Sequence, residues 1–529
     1  MPIQVKPMKN SLFLILFSTV VLTIASCTAP PKKGSPPNII FILADDLGYG
    51  DLKVFNPESK ILTPHLDQLA EEGMIFTDAH TTSSVCTPSR YALLTGRYNW
   101  RSRLKEGVLT GESQALIPKE RTTVASLLKS KGYQTAFIGK WHLGMDWGLK
   151  VDSIEQVGEG YAADFSLVDF SKPIQHGPNA LGFDYSYALP ASLDMAPYVY
   201  VENDQVTQVP NRETIDEGEY SWWRKGPTSP DFIHEEVTPN FFDRTIQYIQ
   251  SQSGQEKPFF LYLALPSPHT PILPKKEWQG KSGLLPYADF VMMMDDYIGQ
   301  VNQALKAAGL DDNTLLIFSS DNGCSPAAGF EKMVELGHLP SAQFRGHKAD
   351  IYEGGHRVPF LAKWPAGIQK GAVSNETISL IDFFATAAEL SGYEVAEDEG
   401  EDSYSLLSLF REESRQGEFR EATIFHSVNG SFAIRKGEWK LILAPGSGGW
   451  SFPRPGDPAA ADLPPVQLYN LAADPGEKIN LEALQTEKVN ELRALLSRYI
   501  REGRSTPGAP QANDPFEGEW KQVWFLEGD

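Results

Sequence analysis

Two hydrophobic rhythms run along this chain. In the first, unbroken apolar runs stop abruptly at polar residues. Residues 38–44 read N-I-I-F-I-L-A and stop at Asp45-Asp46; residues 135–138 read T-A-F-I and stop at G-K-W-H. Residues 258–264 read P-F-F-L-Y-L-A and lead to P-S-P-H at 266–269, and residues 314–320 read T-L-L-I-F-S-S and stop at Asp321-Asn322-Gly323. Such runs predict strands buried on both faces of a parallel sheet.

The second rhythm is helical. Thr63-Pro64 opens a segment that Gly73 closes, with a cap, Pro at the first position and Gly past the end. Residues 121–131 predict another helix. In a third, Phe290, Met293, Met294, Tyr297, Ile298, Val301 and Leu305 recur at helical spacing, and the methionines read as core. Strands alternating with helices predict an α/β fold, a large, mostly parallel sheet between helical layers. In open sheets of this kind ligands bind beyond the carboxyl ends of the strands.

After about residue 420 the pattern changes. Short strands at 431–435, 439–443 and 467–471, then a helix at 485–502, predict a small antiparallel sheet with a packed helix. The expected division is a catalytic domain over 38–420 and a C-terminal α+β subdomain over 421–529. The acidic stretch 394–402 reads as a solvated loop. The Gly- and Pro-rich loop 445–465 is long enough to suggest function. An insertion at 197–240 carries Trp222-Trp223 and His234, which suit either packing or sugar stacking.

The N-terminus has its own grammar. Lys6 and Lys9 precede an apolar run over 12–24, followed by I-A-S-C at 24–27. This predicts a signal peptide over 1–26, a lipidated Cys27 and a tether over 27–37; an ordinary signal peptide is the alternative, and Met8 is a second candidate start. The run is short for a membrane span. An exported, lipid-anchored protein is expected, at the periplasmic face of the outer membrane or at the cell surface.

Across 529 residues, 68 acidic side chains outnumber 47 basic ones, a net charge of −21. That excludes broad nucleic-acid binding, which needs a basic face. An anionic substrate would require a local cationic pocket.

Asp45, Asp46, Asp321 and Asn322 follow two of the predicted strands. Carboxylates with an amide make an all-oxygen set suited to Ca²⁺ or Mg²⁺ and not Zn²⁺; capping of turns is the bland alternative. With Thr87 as cap and Pro88 as first helical residue of 87–95, Cys86 stands at a helix N-terminus, where negative charge is favoured. Arg90 lies one turn on. A packed thiol, a thiolate nucleophile and a precursor of another group are all compatible with this placement. Pairing of Cys86 with Cys324 is also open.

C-T-P-S-R at 86–90, followed by L-T-G-R at 94–97, resembles the signature of type I, formylglycine-dependent sulfatases of the alkaline-phosphatase-like superfamily. G-K-W-H-L-G at 139–144, P-S-P-H, D-N-G, R-G-H-K at 345–348, E-G-G-H-R-V-P at 353–359, W-K-L at 439–441 and L-Y-N-L-x-x-D-P at 468–475 fall in the family's order. The resemblance implies a sulfuric ester hydrolase acting on a sulfated saccharide, with Cys86 oxidised to an aldehyde (3-oxoalanine) by a formylglycine-generating or anaerobic sulfatase-maturating enzyme. It implies one Ca²⁺ held by Asp45, Asp46, Asp321, Asn322 and the modified Cys86. Lys140 and Lys348 would clamp sulfate, and Arg90 would hold the hydrated aldehyde. His269 would protonate the leaving oxygen, and His142 would deprotonate the second hydroxyl so that sulfate departs. Ser192 matches a serine near the sulfate. His347 and His356 stand as substrate contacts or structural residues. His65, His176, His338 and His426 read as structural, and Cys324 as a packed thiol. The competing readings are a phosphatase, phosphodiesterase or phosphonate hydrolase of the same superfamily, and a glycan-binding lipoprotein without catalysis.

Overall fold

The computed structural model describes residues 1–4, 36–150, 165–414, 417–516 and 518–526. The apolar leader, Cys27 and nearly all of the tether lie outside the described residues. Among the described residues no helix is long and apolar enough to cross a membrane.

One sheet carries β1 (Asn38–Ala44), β2 (Met74–Phe76), β3 (Gln134–Lys140), β4 (Tyr185–Leu189), β5 (Val201–Glu202), β6 (Gln205–Val206), β7 (Phe259–Ala264), β8 (Thr314–Ser320), β9 (Phe360–Lys363) and β10 (Ala372–Ser374). Their order across the sheet is β10-β2-β9-β8-β1-β7-β3-β4-β5-β6. The centre, β8-β1-β7-β3-β4, is parallel throughout. Antiparallel pairs appear only at β8–β9, β9–β2, β4–β5 and β5–β6.

The unbroken apolar runs follow from burial on both faces. Six helices do most of the covering: α1 (Pro64–Glu72), α2 (Cys86–Thr95), α3 (Val124–Ser130), α4 (Val237–Ser251), α5 (Pro286–Ala308) and α6 (Phe383–Ser391); α7 (Thr486–Arg501) lies in the C-terminal region. Successive side chains of β1 point to opposite faces. Ile40 and Ile42 therefore pack with Leu66 of α1, Phe241 of α4 and Met293 and Met294 of α5. Ile39, Phe41 and Leu43 pack with Leu94 of α2, Leu127 of α3 and Phe383 of α6. Burying one such side chain contributes about 2–3 kcal/mol, so a polar residue in either register would break one of the two cores. The methionines of α5 are core, as expected.

The second sheet holds β11 (Thr423–His426), β12 (Phe432–Lys436), β13 (Trp439–Ile442) and β14 (Gln467–Asn470), antiparallel and in sequence order. Leu492, Leu496 and Ile500 of α7 pack on its Ile434, Leu441 and Leu468.

Three local expectations are corrected. The helix expected over 121–131 begins at Val124, because the Thr123 hydroxyl accepts from the Ser126 N–H at 3.1 Å and ends the preceding turn. The acidic stretch 394–402 is not wholly solvated: Glu401 and Asp402 are buried, Glu401 against Arg97 and Arg121 and Asp402 against Arg101. Finally, α2 begins at Cys86 itself with Val85 as its cap. Thr87 does not cap it. Its hydroxyl donates to the His142 carbonyl at 3.0 Å and accepts from the Leu109 N–H at 3.2 Å.

Candidate active site

Four strands deliver polar residues to one sheet edge. Asp45 and Asp46 follow β1, Lys140 ends β3 with His142 just beyond, His269 follows β7, and Asp321 and Asn322 follow β8. Cys86, the first residue of α2, faces them. One oxygen of Asp45, one of Asp46, the Cys86 sulfur and one nitrogen of His269 all lie within 4.8 Å of one another.

Charge pairing organises the cluster. Lys140 Nζ donates to Asp45 Oδ2 at 2.5 Å, and Lys348 Nζ to Asp46 Oδ2 at 2.8 Å. Arg90 donates through Nε and Nη2 to Asp321 Oδ2 at 3.0 and 2.7 Å, and through Nη1 to the Lys140 carbonyl at 2.9 Å. Arg90 thus braces the carboxylate end of β8 against the end of β3. All of these groups are buried. Burial by itself would raise the Asp45 carboxyl, but Lys140, His269 and Arg90 hold it well below the usual carboxylate range. Burial and the Asp45 charge push Asp321 up to about 6. Burial disfavours the Lys348 ammonium, yet Asp46 keeps its pKa raised.

The Cys86 thiol is buried, and burial pushes it up to about 12 despite Lys140 and Lys348. It keeps its proton and donates to Asp45 Oδ1 at 3.7 Å. Such a thiol is a poor nucleophile as it stands. Cys86 and Cys324 are both free, and Cys324 is packed in the core.

The two histidines are poised differently. His142 Nε2 donates to the Leu109 carbonyl at 2.8 Å, which leaves the Nδ1 lone pair buried and without a partner. Burial, Lys140 and Arg90 drive its pKa well below 6.5; the ring is neutral, with a free acceptor. His269 Nδ1 donates to the Thr270 carbonyl, so Nε2 is the nitrogen in the site, 3.6 Å from Asp46 Oδ2.

Asp45, Asp46, Asp321 and Asn322 are the residues that could hold a metal. Asn322 Nδ2 donates to Asp46 Oδ1 at 2.7 Å, while its buried Oδ1 has no partner. An unsatisfied oxygen beside carboxylates is a feature a hard cation would correct, so the residues fit the expected ion. Asp46 and His142 both adopt positive φ, 66° and 54°, a conformation non-glycine residues adopt chiefly where the surroundings enforce it.

Ser192 is buried. Two residues on, Asp194 is buried, ion-paired with Arg224 and 4.0 Å from His269 Nδ1. Sequence reasoning did not single out Asp194; the acid in L-P-A-S-L-D was its only signal. His347 is partly exposed, accepts or donates at Ser451 Oγ over 3.1 Å, and borders a cleft of about 1090 Å³. His356 is fully buried and spends both ring nitrogens inside the protein, on His80 and Lys440 at 3.0 Å each. The structure gives it no path to a substrate.

Glycines explain the E-G-G-H and D-N-G motifs. A Cβ on Gly323 would lie 2.0 Å from the Gly354 carbonyl oxygen, and one on Gly354 would lie 2.2 Å from that of Gly346. Three backbone segments thus interlock, which fixes Asn322 and Lys348 relative to each other.

A family model described as Sulfatase matches residues 37–393, and one described as N-sulphoglucosamine sulphohydrolase, C-terminal, matches residues 346–448. The chain is 33% identical to an N-acetylgalactosamine-6-O-sulfatase of Bacteroides thetaiotaomicron, over 92% of this chain and 99% of that protein. It is 34% identical to human arylsulfatase A, over 84% and 83%. A solved 6S-sulfatase structure from work on glycosaminoglycan metabolism by Bacteroides thetaiotaomicron aligns with a TM-score of 0.75 at 33% identity, covering 88% of this chain and 99% of that one. With its mixed sheet, its antiparallel C-terminal sheet and these similarities, the chain belongs to the sulfatase family, whose members are sulfuric ester hydrolases.

Proposed function

We propose that this protein removes sulfate from a sulfated carbohydrate, using an aldehyde derived from Cys86 and one Ca²⁺. The observation that carries this reading is the meeting of Cys86, three carboxylates, two lysines and two histidines at one sheet edge. Charge supports it further. Three carboxylates face Arg90, Lys140 and Lys348, so a bound divalent cation would leave the site positive. That surplus suits a sulfate monoester and resolves how a chain of net charge −21 binds an anion. The named relatives acting on N-acetylgalactosamine sulfate support a saccharide substrate.

Asp45, Asp46, Asp321, Asn322 and the modified Cys86 would hold the Ca²⁺, which when bound polarises sulfate oxygens and offsets their charge. Once formed and hydrated, the aldehyde would supply the attacking hydroxyl: its oxygen would bond to sulfur as the bond from sulfur to the sugar oxygen breaks, its proton would pass to a neighbouring carboxylate, and sulfate would be left esterified at position 86. Lys140, paired with Asp45, and Lys348, paired with Asp46, hold the remaining sulfate oxygens. Arg90 keeps Asp321 and the end of β3 in register around Cys86. His269 Nε2 delivers the proton that the leaving sugar oxygen needs, and its Nδ1 bond to Thr270 fixes that orientation. His142 Nδ1, neutral and unpaired, takes the proton from the second hydroxyl, so that sulfate leaves and the aldehyde returns. No water need attack a stable ester.

Maturation of Cys86 requires a formylglycine-generating or anaerobic sulfatase-maturating enzyme as partner. The residues 6–27 pattern supports export and a lipid anchor at Cys27, on the periplasmic side of the outer membrane. A phosphodiesterase or phosphonate hydrolase is not favoured by the family match, and the complete set of acid, base and clamp residues speaks against a catalytically silent glycan binder.

Protein produced with its maturation enzyme should release sulfate from at least one member of a panel of singly sulfated monosaccharides. The peptide spanning residues 83–90 should carry the aldehyde mass at position 86. Aldehyde-bearing protein inert towards every ester, or active protein with only thiol at Cys86, would overturn the proposal.

A further inference from the structure

The cleft bordered by His347 is assembled from three distant segments, none of which supplies a catalytic group. Glu219 and Tyr220 come from the insertion, residues 326–347 from the chain after Asn322, and residues 450–454 from the C-terminal loop. At about 1090 Å³ it exceeds the roughly 300–1,000 Å³ of ordinary small-ligand pockets.

The cleft's wall adjoins the active site: His347 lines the cleft and the next residue, Lys348, reaches Asp46. Lys348, next to His347, donates its N–H to the Cys324 carbonyl at 2.9 Å, two residues after Asn322. Pro326, on the same segment as Asn322, lines the cleft. The C-terminal loop is fastened to this turn. The fully buried Asp350 carboxylate accepts from the N–H groups of His347 at 3.1 Å, Trp450 at 2.8 Å and Ser451 at 2.9 Å. The Gly449 α-carbon lies so close that a Cβ there would meet the Ala349 carbonyl oxygen at 2.3 Å. On this anchored loop Trp450 and Phe452 remain 42% and 71% exposed. Both rings line the cleft, so two aromatic faces on an anchored loop are offered to whatever fills it. The lining carries three carboxylates, Glu219, Glu331 and Glu335, against Lys332 and Arg454. It is not built to attract a polyanion.

We infer that this cleft holds the uncharged saccharide units joined to the sulfated one, with Trp450 and Phe452 as stacking platforms, so that the enzyme selects sulfated oligosaccharides over sulfated monosaccharides. This rests on the sulfatase reading but adds a site outside the sulfate pocket.

Two measurements test it. With matured enzyme, kcat/KM is compared for a 6-sulfated N-acetylgalactosamine or galactose monosaccharide and for oligosaccharides ending in the same unit joined to neutral sugars. The wild type should favour the oligosaccharide about tenfold or more through KM, equally at low and raised ionic strength. The W450A/F452A variant should lose that preference while its monosaccharide kcat/KM stays within about twofold. Equal rates on both substrates in the wild type, or a variant that loses both activities together, would overturn the inference. Independently, titration calorimetry with neutral galactose- and N-acetylgalactosamine-containing tetrasaccharides should show binding to unmodified Cys86 protein and none to W450A/F452A. Binding in a protein inert to sulfate esters would preserve the cleft and sink the sulfatase reading; absence of binding in both proteins would sink the cleft alone.

Discussion

Among the described residues, two buried clusters bring histidine, carboxylate or thiol donors together within 4.8 Å. One is the active site. The other joins Asp78, His80, Glu353 and His356 to Arg435, Lys440 and Glu477 of the C-terminal region. Their difference is in what remains unfilled. In the second cluster each ring nitrogen has a partner, and the partners fix the protons. Lys440 Nζ donates to His356 Nε2, so His356 Nδ1 bears a proton and donates to His80 Nδ1; His80 Nε2 then donates to Asp78 Oδ1 at 2.7 Å. Both rings are neutral, in keeping with the burial that lowers the pKa of each. The position a metal would take beside His356 is already held by the Lys440 ammonium. In the active site, by contrast, Asn322 Oδ1 and His142 Nδ1 are buried and unsatisfied. Buried charge therefore does not by itself mark a functional site; here the mark is unspent hydrogen-bonding capacity gathered beside ionised groups at one sheet edge, since single buried unpaired atoms, such as the two ring nitrogens of His426, occur elsewhere too.

This contrast predicts opposite effects for a lysine in each cluster. Lys348→Ala should lower kcat/KM on any sulfate ester by about 10²–10³ or more, the scale of losing one preorganised oxyanion partner, with thermal unfolding little changed in Ca²⁺. Turnover within tenfold of wild type would remove Lys348 from the clamp. Chelation should likewise abolish turnover of the wild type and Ca²⁺ restore it. Lys440→Ala leaves Glu353 and Glu477 facing each other without their shared cation. It should cost about 3–5 kcal/mol of stability, the range for breaking a buried ion pair, read by denaturant unfolding. The folded fraction should keep most of its kcat. If K440A instead unfolds like wild type and loses turnover, the two clusters have the same role and the contrast fails.

The strand ends were legible because each central strand announces itself as an unbroken apolar run. The polar residues that stop the run are the ones the sheet edge presents, so Asp45, Lys140, His269 and Asp321 could be read in order. Local signals failed where a distant partner outbid them. Thr87 looks like a cap, yet it spends its hydroxyl on Leu109 and His142. Glu401 and Asp402 look solvated, yet Arg97, Arg101 and Arg121, about three hundred positions earlier, draw them inside. His356 sits in a family motif that suggested substrate contact, and nothing in E-G-G-H foretells Lys440. The cleft was half visible: loop 445–465 was long enough to matter, but its alignment with residues 219–220 and 326–347 is a property of the fold.

The smallest expected effect is the sharpest test of the second cluster's proton arrangement. Glu353 accepts from Lys440 and Arg357, and Lys440 above all, with Arg435, holds it well below the usual carboxylate range despite its burial. Glu477 shares only Lys440, lies buried against the Glu353 charge, and is pushed up to about 7. Its folded pKa therefore exceeds its unfolded value of 4.5. The stability it contributes is complete below about 4.5 and is lost as pH rises through about 7, on the order of 1–3 kcal/mol in all. Glutamine resembles the protonated form and can still accept the Glu353 N–H now bonded to Glu477 Oε2 at 2.7 Å. Glu477→Gln should match the wild type in Tm at pH 5 and exceed it by pH 8, the gap opening around neutrality. A gap that stays constant over that interval would show that Glu477 is ionised throughout, that Lys440 serves both carboxylates, and that the second cluster carries one more negative charge than the proton chain drawn here allows.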